Sequence, residues 1–344
     1  MRSILIMAAA TCSIQLQAQV LQVLDTSHAN VSFRGLSVVD EKLIWVSGSK
    51  GTIGRSVDGG KSWQWVNPAG YSGRDFRDIE AFDENIAIVM AVDSPGILLK
   101  TNDGGKNWRM VYQSNQPGIF LDAMDFDGPD GYCIGDPING RFWLLTTQDY
   151  GEHWTLLPEN TRPEALKGEA CFAASGTNIF VTRTKDKDKT EAQWVTGGSN
   201  SRLHVVADGQ ASHYPLWLMQ GSQMTGSNSI TRLPSGGWMI AAGDYLNSKR
   251  ADSCLVYRQG QQQGFIDQPP IGYTSCVAAS YGSDLLICGL NGVAFAAFDG
   301  DDELDAWTGW HSISSLGFHV VQAAPKNKVA FAAGPKGRIA KITW

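Results

Sequence analysis

A chain of 344 residues with 43% hydrophobic and 18% charged residues carries enough apolar material for a folded core, which excludes a disordered protein. Its formal net charge of −6 argues against nucleic acid or an anionic membrane surface as the main partner, because both favour a basic surface. The 38 glycines and 12 tryptophans predict many tight turns and the repeated burial of large rings.

The N-terminus has the pattern of an export signal. A positive charge at Arg2 precedes a mostly apolar run over residues 4–14, and we expect residues 1–18 to be removed as a signal peptide. The run is too short to span a bilayer, and no later stretch is long and apolar enough to do so. We therefore expect residues 19–344 to form one exported domain, periplasmic or extracellular; lipid attachment at Cys12 is the alternative to simple cleavage.

Three consecutive segments, 33–66, 76–111 and 120–157, share one pattern of short apolar strands separated by Gly, Asp, Asn or Pro turns. The repeat length of about 44 residues matches one four-stranded blade of a β-propeller. A helical interpretation fails, because the runs are short, β-branched or aromatic, and interrupted by glycine roughly every 8–12 residues.

Weaker copies of this pattern follow, and they begin near Gly168, Asn228, Thr274 and Phe318. The last copy ends at Trp344, one strand short of a blade, and the apolar segment 19–24 can supply the missing strand. Pairing the first and last segments removes the open edges that the ring would otherwise expose. The sequence therefore predicts an all-β fold, a seven-bladed β-propeller of four-stranded antiparallel blades closed by its N-terminal strand.

The three clear repeats each contain a turn of the form S/T-x-D-x-G-x-x-W. In such a turn the Asp carboxylate can accept backbone N–H groups, the second glycine can adopt a positive φ, and the Trp can cover the turn. We interpret these positions as structural and place them on the outer rim, away from the central channel. They are Ser56, Asp58, Gly60, Trp63, Thr101, Asp103, Gly105, Trp108, Thr147, Asp149, Gly151 and Trp154.

These turns and repeats resemble the BNR/Asp-box propellers, a superfamily that includes sialidases, sortilin-type receptors and xyloglucan-degrading enzymes. Residues 51–66, GTIGRSVDGGKSWQWV, are most similar to the photosystem II stability/assembly factor-like branch, whose members occur as exported proteins in non-photosynthetic bacteria. The resemblance covers nearly all of residues 19–344 but is specific only over residues 33–157. It implies a seven-bladed propeller and does not imply photosynthesis.

Propellers bind ligands at the channel mouth, on the loops that join consecutive blades and on the middle turns within blades. Aligning the repeats gives the first positions of the innermost strands as Arg34, Arg77, Leu121, Glu169, Ser229, Ser275 and His319. Charged groups near one axis usually need partners or ligands. With the mouth loops included, the predicted ligand-binding residues are Arg34, Arg77, Asp78, Asp136, Arg141, Glu169, Arg183 (with the polar insertion 185–193 that follows it), Tyr245 and His319.

Three functions compete on this evidence. A binding or assembly module that recognises a protein, peptide or glycan fits the resemblance, the export signal and the lack of a catalytic motif. A glycoside hydrolase would need two carboxylates beside a pocket, and Asp136, Glu169 and Asp78 are the candidates. A redox enzyme has no support, because no glycine-rich dinucleotide loop follows a strand and opens a helix.

Within the hydrolase hypothesis, a sialidase is disfavoured. Sialidases carry a Phe-Arg-Ile-Pro motif before the first Asp box, whereas residues 33–36 read Phe-Arg-Gly-Leu, and no tyrosine nucleophile with a glutamate partner is identifiable. The separation of Asp136 and Glu169 should discriminate between hydrolysis and binding, because a catalytic carboxylate pair lies about 5–10 Å apart. We expect a monomer without a cofactor.

Cysteines and acidic runs add little to the functional prediction. Cys276 and Cys288 flank a turn and could face each other across a hairpin, but unpaired burial is favoured because directly opposed positions seldom suit disulfide geometry. No Cys/His spacing indicates zinc, and the acidic run 299–303 lacks the spaced oxygens of a calcium loop. We therefore expect no metal.

Overall fold

The computed structural model describes residues 19–183, 189–233, 235–266, 269–298 and 309–344. Their strands form seven antiparallel sheets, and the two short 3-10 helices are Glu159–Thr161 and Pro335–Gly337. The predicted signal peptide and the acidic run 299–303 lie outside these residues. No helix in the described ranges is both long and apolar enough to cross a bilayer.

The first three sheets, with strands numbered in chain order, are the three clear repeats. Blade 1 contains β2 (Phe33–Val38), β3 (Ile44–Gly48), β4 (Thr52–Ser56) and β5 (Gln64–Trp65). Blade 2 contains β6 (Phe76–Ala81), β7 (Ala87–Ala91), β8 (Gly96–Thr101) and β9 (Arg109–Ser114). Blade 3 contains β10 (Leu121–Asp127), β11 (Asp130–Ile138), β12 (Arg141–Thr147) and β13 (Thr155–Leu156).

The remaining four sheets complete the ring. Blade 4 contains β15 (Ile179–Arg183), β16 (Thr190–Val195), β18 (Arg202–Ala207) and β19 (Gln210–Pro215). Blade 5 contains β20 (Thr225–Arg232), β21 (Trp238–Asp244), β22 (Leu255–Gln259) and β23 (Gln262–Phe265), extended by β14 (Glu169–Ala170) and β17 (Gly197–Gly198) to six strands. Blade 6 contains β24 (Cys276–Ala279), β25 (Leu285–Gly289), β26 (Gly292–Ala296) and β27 (His311–Ser314). Blade 7 contains β28 (Val320–Ala323), β29 (Val329–Ala333), β30 (Ile339–Thr343) and β1 (Val20–Asp25).

The seven-bladed propeller is thus confirmed, including its closure by the N-terminal strand. Strand β1 pairs antiparallel with β30, from Val20 opposite Thr343 to Asp25 opposite Ile339, with a register shift near the end of β1. Alternate residues of a strand normally face opposite sides. The shift allows Leu21 and Leu24, three positions apart, both to pack on the core.

The core lies between neighbouring blades, because each sheet buries both faces against the next. The second strands show this most clearly: every residue of β3, β7 and β25 is buried. Large rings fill the wedge between sheets, as in the edge-on pair of Phe142 in blade 3 and Trp194 in blade 4, whose ring centroids are 6.0 Å apart. The frequent β-branched and aromatic residues of these strands suit such two-sided burial.

The three predicted turns share one geometry. Asp58 accepts the N–H of Ser62 at 2.9 Å, and Asp103 and Asp149 accept the equivalent N–H groups at 2.9 and 3.0 Å. The glycine at the fifth position of each turn, Gly60, Gly105 and Gly151, has a φ of +82°, +84° and +73°, where a Cβ would be strained. Each turn bonds to the turn between the first two strands of its own blade, as in Gly59 N–H to Lys42 O at 2.9 Å. The turns therefore lie at the end of the blades away from the loops that join successive blades.

Blade 4 differs from the prediction. The copy beginning near Gly168 was expected to supply an innermost strand, but β15 (Ile179–Arg183) takes that position. The preceding β14 instead pairs with β17, which joins it to the sheet of blade 5. Residues 171–177, here called the mouth segment, then cross the channel, with Gly176 at a φ of +71°. A run of small residues resembles an inner strand in composition but makes its hydrogen bonds elsewhere.

Candidate functional site

A cavity of about 440 Å³ lies at the channel mouth. Side chains from several blades surround it, and the mouth segment contributes part of its wall. We call it the upper cavity. The side chains lining it include Arg34, Arg77, Phe120, Asp122, Asp136, Phe172, Gln223, Met224, Asn228, Tyr245 and Tyr273.

The mouth segment is held from several directions. Cys171 N–H donates to Asp136 Oδ1 at 3.0 Å, and Arg34 donates to Ala174 O at 3.0 Å. Further along, the hydroxyls of Ser175 and Thr177 bond to blade 6 at 2.9 Å and to blade 5 at 2.7 Å. On its other side lies a lower cavity of about 200 Å³ that includes Glu80 and Asp125. The segment therefore separates two compartments of the channel.

Arg34 and Arg77 form the cationic side of the upper cavity. Arg34 donates from one terminal nitrogen to the mouth segment, while Arg77 pairs through Nε with Asp75 at 2.8 Å and lies over the Phe120 ring at 5.9 Å. Burial, followed by the nearby charge of Arg77, lowers the pKa of Arg34. Within the described ranges no carboxylate pairs with Arg34, so both arginines retain N–H donors for an anionic or carbonyl group.

Two carboxyl groups occupy the same cavity. Burial raises the pKa of Asp136 to about 6, although the hydrogen bond from Cys171 N–H acts to lower it. Burial, and then the charge of Asp136, raises the pKa of Asp122 well above its ordinary value. The Arg77 charge and nearby backbone amides act in the opposite direction, but neither Asp122 oxygen has a hydrogen-bond partner among the described residues. Burial therefore favours the protonated form of both carboxyl groups that share the cavity with the arginines.

Glu169 is not at the head of an innermost strand, which corrects the prediction. It accepts hydrogen bonds from Arg202 Nε at 3.0 Å, His204 Nε2 at 2.8 Å and Thr196 Oγ1 at 2.6 Å. Burial alone would raise its pKa, but the hydrogen bonds from His204, Arg202 and Thr196 outweigh burial and hold the pKa at about 2. A carboxylate saturated in this way cannot act as a general acid near neutral pH.

Asp78, the third proposed catalytic carboxylate, does not line the upper cavity either. It is buried and accepts the N–H groups of Met124 at 2.7 Å and Ile79 at 2.8 Å. Burial raises its pKa well above the ordinary value. Asp136 and Glu169 do share a second cavity of about 440 Å³, but Glu169 there is fully engaged by Arg202, His204 and Thr196. Asp78 lines neither cavity, so the three carboxylates do not converge as a pair of free groups.

Two predicted arginines lie outside the upper cavity. Arg141 pairs with Glu164 at 2.6 Å and donates to Arg162 O at 2.7 Å, beside a groove between blades 3 and 4. Arg183 pairs with Asp127 and Asp130 at 3.6 and 3.4 Å. Because those aspartates flank the turn between β10 and β11, Arg183 lies at the end opposite the mouth. Residues 184–188 of its insertion lie outside the described ranges.

His319 is buried and does not line the upper cavity. Its Nε2 lies 3.1 Å from Ser32 Oγ. Burial, then the charges of Arg34 and Arg77, lowers its pKa to about 3. This imidazole therefore stays neutral over the physiological range, and its role in the structure is to fill space between blades 7 and 1.

Several residues of the cavity were missed from the sequence. The sequence misplaces Asp122: the segments Phe-Arg-Asp-Ile at 76–79 and Phe-Leu-Asp-Ala at 120–123 align it with Asp78. In the structure the register shift skips Arg77 in β6 and Asp122 in β10, so Asp122 takes the place of Arg77 and lines the cavity, whereas Asp78 does not. Tyr273 precedes β24 and Asn228 lies within β20, both in weak repeats where no motif marks the mouth.

The lower cavity gives a pH-dependent prediction. Burial raises the pKa of Asp125 to about 7, against hydrogen bonds from the Val181 and Phe126 amides. Since the folded pKa exceeds the ordinary value, its contribution to stability is full at low pH and is lost as pH rises through about 7. We expect the stability of wild type relative to Asp125→Asn to fall by about 1–3 kcal/mol between pH 5 and 8 in urea unfolding.

Asparagine keeps the acceptor for Val181 and removes the titration of residue 125. The titration of the histidines is common to both proteins and cancels in the difference between their stabilities. The exposed Glu84→Gln serves as the control and should leave the pH profile of wild type unchanged. A parallel pH profile for Asp125→Asn and wild type would contradict the raised pKa.

Neither a protein-family model nor a curated protein sequence matches this chain. Solved structures do match it over almost its full length. The structure described as YCF48 bound to D1 peptide has a TM-score of 0.64 and 14% identity, covering 96% of this chain and 98% of that chain. YCF48 from Cyanidioschyzon merolae has a TM-score of 0.59 and 17% identity, covering 94% and 98%. A streptogramin B lyase has a TM-score of 0.57 and 14% identity, covering 94% and 97%. At these identities the likeness establishes the propeller fold.

Proposed function

We propose that this chain is a non-catalytic binding propeller that recognises a protein or peptide segment at the channel mouth. The observation that carries the proposal is the pair Arg34 and Arg77, whose remaining N–H groups face a cavity of about 440 Å³. Two guanidinium groups can hold a carboxylate or a row of peptide carbonyls. We also propose that the protein acts as a monomer outside the cytoplasm, as the pattern of residues 1–18 suggests.

The rest of the cavity suits a peptide. Asp136 and Asn228 offer acceptors for amide N–H groups, and Phe120, Tyr245 and Tyr273 offer rings for side chains. The similar propeller YCF48 has been solved with a D1 peptide, which supports a peptide ligand here without identifying it. Glycoside hydrolysis has no comparable support, because Glu169 and Asp78 are committed to internal hydrogen bonds.

The proposal can be tested with an array of synthetic eight-residue peptides that vary in acidic and apolar content. Binding of labelled peptides to the purified protein is measured by fluorescence anisotropy. We expect Arg34→Ala and Arg77→Ala each to weaken binding by about tenfold or more, since each removes a charge-assisted donor pair.

Arg141→Ala is the matched control, because that arginine lies on the same face but is paired with Glu164 outside the cavity. It should change the affinity by less than about twofold. Absence of binding across the array, or equal binding by Arg34→Ala and wild type, would overturn the proposal. Hydrolysis of aryl glycosides by wild type that Asp136→Asn abolishes would replace it with catalysis.

A further inference from the structure

Exposed apolar side chains in the loops of the mouth face are most numerous on blade 5 and on the loop that leads into it from blade 4, although Leu166 and Leu316 are exposed in other loops. Trp217 is 61% exposed and Leu246 71%, while Met224 and Tyr245 are 46% and 44% exposed. Met224 and Tyr245 also line the upper cavity. Exposed single hydrophobic residues are common on protein surfaces, but a contiguous set beside a polar cavity marks an interaction surface.

The path of the loop before β20 determines how these exposed side chains are arranged. Trp217 N–H bonds to Gln263 in the outermost strand of blade 5 at 3.1 Å, and Met219 N–H bonds to Ser253 O at 3.3 Å. The loop ends at the mouth, where Tyr245 N–H bonds to Met224 O at 3.0 Å. The exposed side chains therefore follow a radial path, the blade 5 track, from the rim to the cavity.

Leu246 is presented by a rigid loop. Asp244 accepts the N–H groups of Leu246 at 2.9 Å and Asn247 at 3.1 Å, and the Asn247 side-chain amide at 2.7 Å. Within the described ranges no folded element covers Leu246, which remains 71% exposed. A loop fixed in this way loses little conformational entropy when a partner covers its apolar side chain.

Charge and apolar surface lie on opposite sides of the mouth. The donors of Arg34 and Arg77 come from blades 1 and 2, whereas the track belongs to blade 5 and reaches the same cavity through Met224 and Tyr245. Four strands about 4.8 Å apart span roughly 15 Å, the length of about four or five extended residues. An extended segment whose acidic side chain occupies the cavity can therefore follow the track from the cavity to the rim with its next four or five residues.

We propose that the ligand is an extended segment in which an acidic group occupies the upper cavity and bulky apolar side chains, within about five residues of it, bind along the blade 5 track. This rests on the proposed function and specifies its partner class. The acidic group alone provides the anchor, and the apolar residues provide selectivity among acidic segments.

Two labelled peptides test the proposal, and each is also made with the reversed sequence so that both chain directions are covered. One carries Asp-Gly-Leu-Phe-Leu, and the other has serine at the three apolar positions; both are measured by anisotropy. We expect wild type to bind the apolar peptide about tenfold or more tightly than the serine peptide. The double variant Trp217→Ser, Leu246→Ser should lose this preference while binding the serine peptide as wild type does.

Tyr281→Ser is the matched control, because Tyr281 is 70% exposed but lies in the turn between β24 and β25, at the end away from the mouth. It should retain the preference, and all variants should unfold at the wild-type temperature. Equal affinities of wild type for the two peptides, with binding that Arg34→Ala abolishes, would overturn the track and leave the proposed function standing. Binding of neither peptide would overturn the acidic anchor and the track; the proposed function would fall as well only if no peptide of the array bound.

Discussion

Replacing Glu169 by alanine should lower the free energy of unfolding by about 3–5 kcal/mol, because it leaves a buried cation without its partner. Arg202 and His204 both bond to this carboxylate, and the side chains of Arg202 and Glu169 are 7% and 0% exposed. Removing one member of a buried, hydrogen-bonded pair exposes the other to the full cost of desolvation. Urea unfolding followed by tryptophan fluorescence measures the loss.

Glu164 supplies the matched control. Glu164 lies five positions before Glu169 in the chain and pairs with Arg141, but its side chain is 75% exposed. Glu164→Ala should therefore cost no more than about 1 kcal/mol. If Glu169→Ala and Glu164→Ala are equally stable, the buried cluster does not stabilise the fold. Glu169→Gln should fall between Glu169→Ala and wild type, since it keeps an acceptor but not the charge.

Replacing the two leucines of the closing strand β1 by alanine should produce the second large loss of stability. Leu21 and Leu24 pack on the core formed by blades 7, 1 and 6. We expect Leu21→Ala, Leu24→Ala to lower the free energy of unfolding by about 2–4 kcal/mol, less than two fully buried leucines would, because both are only partly buried. The loss should appear as a lower urea midpoint and as association, because a loosened β1 uncovers the edge of β30.

The other face of β1 provides the comparison. Val20 and Val23 are 55% and 39% exposed, so Val20→Ala, Val23→Ala should change stability by less than about 1 kcal/mol in total. Equal losses in the two double variants would mean that β1 contributes through backbone pairing alone, which would contradict the packing of Leu21 and Leu24.

The fold was predictable because every blade of a propeller meets the same physical requirements. Each blade must bury two faces, so strand length, turn chemistry and apolar content recur at a fixed spacing. The missing strand after Ile339–Thr343 could be matched with residues 19–24 for the same reason. Blade 4 could not be resolved this way, because residues 168–176 have the composition of an inner strand while their partners, Gly197 and the residues of the mouth, lie far along the chain.

The site was predictable only where the repeats are strong. Arg34, Arg77 and Asp136 come from blades 1 to 3 and do line the cavity, as does Tyr245 of blade 5. Arg183 was placed at the wrong end because a shift of one strand in blade 4 reverses which turn faces the mouth. For Glu169 the error is electrostatic: its partners Arg202 and His204 are some thirty residues away and carry no motif.

The course of the mouth segment also limits how a polypeptide can enter and leave the channel. Among the described residues, the segment 171–177, bonded across the ring, divides the space along the axis into an upper and a lower cavity. A polypeptide cannot be threaded from one face to the other, so a bound chain must arrive and depart by the same entrance. Its captured stretch must lie across that entrance, as an extended segment on the blade 5 track would, or end there. The opposite face, where the Asp turns lie, remains free to contact a different molecule at the same time.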